Sequence, residues 1–205
     1  MKNAKEIINK LSLETNISLQ EMPDIDLYMD QVIQLFDHTY KDKKRNDDEK
    51  VLTKTMINNY AKGKLFIPIK NKKYSKKHLM LISLIYQLKG ALSINDIKAT
   101  LEGINNKLTN DNIELEKFYT SFLAIQQGNA VDFEQEFHKR AAEVQNEVNK
   151  MEDDDSEQLE KILLITSLVN ISNSYRKAAE LLIDELKEEH VMEQGIQLTK
   201  KGKST

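Results

Sequence analysis

A short helical segment carries side chains of the types that bind nucleic acids. The spacing of apolar residues predicts a helix that is capped by Thr53 and ends near Lys62. The polar face of this helix combines lysine, asparagine and threonine, and it contains no acid. Asparagine can form two hydrogen bonds with adenine in the major groove of DNA, and lysine can contact guanine or phosphate. The residues of this segment that we predict to contact DNA are Thr53, Lys54, Thr55, Asn58, Asn59 and Lys62.

The segment that follows is basic and is predicted to be extended. Residues 64–74 include a β-prone run at 65–67. From Lys50 to Lys77 the chain has nine lysines and no aspartate or glutamate. A helix with a mixed face followed by a basic β-turn is typical of a winged helix-turn-helix, in which the helix enters the groove and the wing grips phosphate. The lysines of this segment that we predict to contact DNA are Lys64, Lys70, Lys72, Lys73, Lys76 and Lys77.

Charge is distributed very unevenly along the chain. The net charge of the 205 residues is -3, but residues 41–77 carry thirteen basic and four acidic residues, a net of +9. Residues 111–190 carry eight basic and nineteen acidic residues, a net of -11. Such a dipolar molecule can attract a polyanion with one segment while the rest repels it. Double-stranded DNA is therefore the predicted partner. The alternative is an adaptor whose basic face docks an acidic protein, without DNA binding.

The elements that must position these residues are predominantly helical. We predict helices at 24–40, 53–62, from Ser75 to a break at Gly90, and at 93–101. Three longer helices are predicted at 109–127, 131–151 and 156–190, the first ending at Gly128-Asn129. The predicted fold class is thus mainly all-α. It comprises an N-terminal extension (1–21), a winged helix-turn-helix with a short β-hairpin wing (22–104), a helical bundle for dimerisation or effector binding (108–190) and a flexible basic tail (191–205).

Several kinds of chemistry have no support in the sequence. The chain has no cysteine, its four histidines lack metal-ligand spacing, and it has no glycine-rich phosphate loop. We therefore expect neither an enzyme nor a cofactor or metal site. The first twenty residues lack the apolar core of a secretory signal, and the longest apolar stretch is too short to span a membrane. These features predict a cytoplasmic protein without membrane contact.

The C-terminal helices leave two questions of partnership open. The predicted helix at 156–190 has more apolar residues than one exposed helix tolerates, so it packs either within the chain or in a homodimer. The aromatic residues of this half are most simply core, and a pocket for a small-molecule effector is the alternative. These aromatic residues are Phe118, Tyr119, Phe122, Phe133 and Phe137.

Four stretches of the N-terminal half resemble a known family. The runs at 26–32, 52–60, 73–75 and 92–96 resemble the family called domain of unknown function 1836, over roughly residues 22–102. More distantly, the runs at 51–60, 74–75 and 93–97 with Leu65 resemble the MerR-like winged-helix superfamily.

These resemblances imply a winged helix-turn-helix and a regulatory role. They also imply that Thr53 caps the recognition helix, that its DNA-facing residues are Lys54, Asn58 and Lys62, and that Lys72 and Lys73 lie in the wing. The chain departs from the MerR-like pattern at three places. Asn58 and Asn59 stand where an arginine and an aromatic are usual, Lys64 takes the place of the usual glycine, and the short wing lacks its glycine.

Overall fold

The protein is mainly helical, as predicted. The computed structural model describes residues 4–110, 112–152 and 155–201, with side chains described up to residue 192. The helices are α1 (Ala4–Leu11), α2 (Met29–Tyr40), α3 (Lys54–Lys62), α4 (Lys76–Leu88), α5 (Ile94–Thr109), α6 (Leu115–Asn149) and α7 (Ser156–Lys201). Two short strands, β1 (Leu27–Tyr28) and β2 (Lys73–Tyr74), lie among them. Within the described residues, no helix has the length and apolar character needed to cross a membrane.

Local sequence explains where the central helices begin. Thr53 is the N-cap of α3, and its Oγ1 accepts a hydrogen bond from the Met56 amide at 3.1 Å. Ser93 caps α5 in the same way, with its Oγ 3.2 Å from the Asp96 amide nitrogen. Both caps are where the sequence predicts them. However, α5 runs to Thr109, past the predicted end near Leu101.

The largest apolar core lies in the N-terminal part of the chain. It extends from Ile17 to Tyr119 and is centred on α4, whose residues 78–85 are all buried. The Tyr119 hydroxyl, in the second turn of α6, donates a 2.7 Å hydrogen bond to the Ile17 carbonyl oxygen. This bond joins the two ends of the core.

The strands pair differently from the predicted wing hairpin. β1 and β2 are antiparallel, with Leu27 opposite Tyr74 and Tyr28 opposite Lys73. Residues 64–72 contribute only an isolated bridge between Lys70 and Lys73, across a tight turn. The predicted helix at 24–40 begins only at Met29, because the preceding residues supply the strand that pairs with β2.

Two predictions about the C-terminal helices are wrong. Gly128 does not end a helix but lies inside the 35-residue α6, and α7 continues past His190 to Lys201. One interior glycine costs a helix only about 1 kcal/mol relative to alanine, which tertiary packing can offset. Here Ala130 and Phe137, just after the glycine, are buried.

The hairpin of α6 and α7 has a thinner core than the N-terminal part. Among the hairpin side chains that the structure describes beyond Phe122, the buried ones are Ala130, Phe137, Val148, Glu160, Leu164 and Ile183. The ion pair between Lys187 Nζ and Asp96 Oδ1, at 2.9 Å, joins α7 to α5. His190 Nδ1 on α7 lies 3.5 Å from Glu102 Oε2 on α5 without a hydrogen bond between them. Large apolar side chains on α7 remain exposed, including Ile165 (60%), Tyr175 (71%) and Leu182 (61%).

Candidate nucleic-acid interface

The predicted polar face of α3 is on the surface. Ile57 and Tyr60 are buried in the core, and this burial fixes the rotation of the helix about its axis. Thr53 is half-buried at the cap. The side chains on the opposite face, all exposed, are Lys54, Thr55, Asn58, Asn59 and Lys62.

The basic turn between Lys70 and Lys73 is mostly exposed. Lys70 and Lys72 are exposed, whereas Lys73 is half-buried with its Nζ 5.1 Å from the centroid of the Tyr28 ring. A cation at this distance over an aromatic face is attracted to the ring. Lys73 is therefore partly occupied by a contact within the protein.

The start of α3 and the basic turn both lie beside the junction of β1 and α2. Lys54 Nζ is 2.7 Å from Oδ1 of Asp30, which lies in the first turn of α2. Tyr28, two residues earlier, pairs with Lys73 across the sheet. Hence one short stretch of chain contacts both groups of predicted DNA-binding residues.

Acids from other parts of the chain approach this basic segment. Besides the Lys54–Asp30 pair, Lys76 Nζ lies 3.1 Å from Asp24 and 3.8 Å from Glu116. Lys77 is exposed. The segment that lacks acids in sequence is thus partly neutralised in space. Exposed ion pairs contribute only about 0–1 kcal/mol, so a phosphate can replace Asp30 as the partner of Lys54 at little cost.

Two of the predicted lysines have left-handed backbone conformations. Lys64 has φ 58° directly after α3, and Lys72 has φ 58° in the basic turn, where Asn71 has φ 52°. Lys64 closes the helix by two backbone hydrogen bonds. Its own amide donates to the Ala61 carbonyl oxygen at 3.1 Å, and the Leu65 amide donates to the Tyr60 carbonyl oxygen at 3.0 Å. Glycine is the residue that adopts such helix-ending and turn positions with least strain.

Gly63 is closely packed against its neighbours. A β-carbon there would lie 2.7 Å from Leu65 Cδ1 and 3.2 Å from the Asn59 carbonyl oxygen. Its own backbone is right-handed, with φ -71°. The glycine therefore permits close packing against Leu65, whereas the residue with the left-handed conformation is Lys64.

His78 is a structural residue that the sequence interpretation missed. It is 5% exposed, and its Nδ1 accepts from the Ser75 amide at 3.1 Å and lies 2.8 Å from the Ser75 hydroxyl. Its Nε2 lies 3.2 Å from the Ile67 carbonyl oxygen, to which it can donate. Burial lowers the pKa of His78, and the hydrogen bond with Ile67 opposes this effect. The position of His78 three residues after Ser75, the capping position, was the available signal.

The prediction that the aromatic residues of the C-terminal half form core is wrong for Phe118, which is 39% exposed, and the others lie in two environments. Tyr119 is fully buried in the main core. Phe133 and Phe137, whose ring centroids are 5.7 Å apart, instead line a cleft of about 710 Å³ between α6 and α7. Arg140 also lines this cleft, and its Nη2 lies 2.6 Å from Glu136.

Comparison with known proteins identifies the family. The family described as "Domain of unknown function (DUF1836)" matches residues 17–122, slightly more than half of the chain. The protein therefore belongs to this family. The matched region has nearly the same limits as the main apolar core, which extends from Ile17 to Tyr119. Neither the curated proteins nor the solved structures contain a match.

Proposed function

We propose that the protein is a DNA-binding transcriptional regulator with a MerR-like winged helix. In this proposal α3 is the recognition helix, and the turn at Lys70–Lys73 is the wing. The observation that carries the proposal is the outward face of α3. Five exposed side chains there combine lysine, asparagine and threonine, with no acid on the helix itself. This chemistry suits contacts with both base edges and phosphates.

The order of the elements supports this proposal. The order β1, α2, α3, basic turn and β2 places two helices between the two paired strands of a small sheet. The connection between α2 and α3, residues 41–53, is longer than the three or four residues of a standard helix-turn-helix. The proposed fold is therefore a variant of that motif with an enlarged turn.

The strained lysines are a second line of support. Left-handed conformations are unfavourable for residues with a β-carbon by roughly 1–2 kcal/mol. Lys64 and Lys72 both have this conformation and exposed side chains. A strained backbone conformation at an exposed residue suggests that its side chain has a function. Contact with phosphate is such a function.

The proposal is tested by replacing the wing cations. The double variant Lys72→Ala, Lys73→Ala should bind DNA fragments of all sequences more weakly. It should also flatten the dependence of log K on log salt concentration by about two units, because two phosphate contacts are lost. The measurement is a titration of genomic DNA fragments at several salt concentrations.

Matched controls and contrary outcomes are available within the same assay. Lys161→Ala with Lys177→Ala removes the same charge from exposed positions on α7, and should leave the salt dependence unchanged. An unchanged slope in the Lys72/Lys73 variant would remove the wing from the proposal. Absence of DNA binding by the wild type at low salt would favour the adaptor that docks an acidic protein.

We further propose that the regulator acts as a homodimer through α7. Residues 162–175 contain no charged side chain, although the surrounding region 111–190 has a net charge of -11. Depletion of charge is typical of interface centres, and an uncharged face can meet its own copy without like-charge repulsion. A two-fold dimer would place two copies of α3 about one DNA turn apart. A small-molecule effector in the cleft between α6 and α7 remains a prediction.

A further inference from the structure

A second cleft lies beside the end of α3 and shares no lining residue with the cleft between α6 and α7. It has a volume of about 700 Å³, which is within the range of small-ligand sites. One wall is the segment 66–69, which follows α3, and the other is the face of α5 that includes Lys98, Glu102 and Asn105.

The two walls are already joined, so the cleft does not need to be assembled by a ligand. Asn105 Nδ2, from α5, donates a 3.0 Å hydrogen bond to the Leu65 carbonyl oxygen. Leu65 is fully buried and Phe66 nearly so, and the Phe66 ring packs edge-on against Tyr74 and His78. A preformed cavity loses less free energy on binding than one that must first be ordered.

The cleft combines an apolar wall with two cations at its rim. Ile67 and Ile69 are half-buried and offer apolar surface to a ligand. Lys64 and Lys98 are exposed, and neither makes an ion pair within the part of the chain that the structure describes. The lining therefore suits a molecule with an apolar body and an anionic end.

The charges in the lining indicate how much negative charge the ligand carries. Glu102 lines the same cleft, and its carboxylate lies 3.5 Å from His190 Nδ1 on α7. With two lysines and one glutamate, the formal charge of these three groups is +1. A monoanion balances this charge, whereas a dianion such as a phosphate monoester would exceed it.

We propose that this cleft binds a small amphipathic carboxylate. Its carboxylate lies between Lys64 and Lys98, and its apolar body lies against Ile67 and Ile69. This site is distinct from the cleft between α6 and α7. The inference does not depend on DNA binding, because it concerns the free protein.

The test uses octanoate as the probe and isothermal titration calorimetry with the full chain. Wild-type protein should bind octanoate, and Lys64→Gln with Lys98→Gln should weaken binding roughly tenfold or more, because two charge-assisted contacts are lost. The control Lys62→Gln with Lys107→Gln changes exposed lysines near the end of α3 and on α5 that do not line the cleft, and should bind normally. Circular dichroism establishes that both variants are folded.

Probe chemistry separates the remaining outcomes. 1-Octanol, which lacks the charge, and acetate, which lacks the apolar chain, should each bind much more weakly than octanoate. Equal binding of octanol, tighter binding of octyl phosphate, or octanoate binding that survives the Lys64/Lys98 substitutions would each overturn the proposal. Absence of octanoate binding to the wild type would overturn it as well. None of these results bears on the DNA titration, so the two proposals can fail separately.

Discussion

At the scale of single residues, lysine occupies two positions where glycine would be less strained. Lys64 ends α3 with φ 58°, and Lys72 has the same φ within the basic turn. Both side chains are exposed, so no packing of the side chains themselves compensates for the strain, although the Lys64 backbone closes α3 by hydrogen bonds. In our proposals the compensation is functional, because Lys64 belongs to both the DNA surface and the carboxylate cleft.

The strain at Lys64 gives the first residue-scale prediction. Lys64→Gly should increase the free energy of unfolding by about 0.5–1 kcal/mol, since relief of left-handed strain exceeds the added entropy of the unfolded chain. Urea unfolding measures this change. The same variant should bind DNA more weakly. Lys62→Gly, inside the last turn of α3, is the control and should destabilise the protein, as glycine does in a helix. A Lys64→Gly variant less stable than the wild type would show that left-handed strain at Lys64 is smaller than the entropy that glycine adds to the unfolded chain.

The second residue-scale prediction concerns acid and His78. Its pKa in the folded protein is below the ordinary value of 6.5, because burial of the ring disfavours the charged form. Below pH 6.5, His78 in the unfolded chain therefore binds a proton more readily than His78 in the folded protein. The contribution of His78 to the free energy of unfolding is fully present above pH 6.5. It is lost as the pH falls towards the pKa of the folded protein. The loss is at most about 1.4 kcal/mol per pH unit, the value for one proton.

The variant His78→Gln isolates this effect. Glutamine can accept from Ser75 and donate to the Ile67 carbonyl oxygen without titrating in this range. We expect the difference in urea-unfolding free energy between pH 8 and pH 5.5 to be smaller in this variant than in the wild type. Identical pH dependence in the two proteins would assign the acid sensitivity to other groups.

At the scale of elements, two glycines at helical positions should respond oppositely to alanine. Gly128 is exposed inside α6, and a β-carbon there would meet nothing within 4 Å. Gly128→Ala should therefore stabilise the protein by about 0.5–1 kcal/mol through helix propensity. Gly63→Ala should destabilise it, because the new β-carbon would crowd Leu65 and the Asn59 carbonyl oxygen. Thermal unfolding of both variants measures the signs, and the same sign for both would contradict the packing argument.

At the scale of the whole molecule, the chain consists of a well-packed N-terminal part and a long, thinly packed hairpin. The main core ends at Tyr119, and the family match ends at 122. Beyond that point α6 and α7 leave apolar side chains on the surface, including Ile162, Ile165 and Val169. An exposed apolar patch on a hairpin that otherwise carries many acids suggests a partner surface, which motivates the proposed dimer.

Charge placed on this face should separate the two copies. Ile165→Glu with Val169→Glu should convert a dimer into a monomer, because burying an unpaired carboxylate at the interface is costly. Sedimentation velocity over a range of protein concentrations measures the change. Ile25→Glu, at a 70% exposed position before α2, is the control and should leave the oligomeric state unchanged. A wild-type protein that stays monomeric at every soluble concentration would refute the dimer.

Sequence alone determined the features that depend on neighbouring residues. Thr53 caps α3, and the apolar positions at Ile57 and Tyr60 face inward. The polar face of α3 is exposed for that reason, because helical periodicity fixes which side chains share a side. The mainly helical fold and the family could be predicted on the same basis, since both rest on local patterns.

Only the tertiary structure decided which distant residues meet. It brings Asp30 to Lys54 and Asp24 to Lys76, so the segment without acids is not an isolated basic patch. It also gives β2 its partner in β1, and keeps α6 continuous through Gly128. The physical reason is the same each time. Residues far apart in the chain are joined by strand pairing, by ion pairing and by the packing that offsets a weak helix position. Local propensity does not predict which distant residues meet in these contacts.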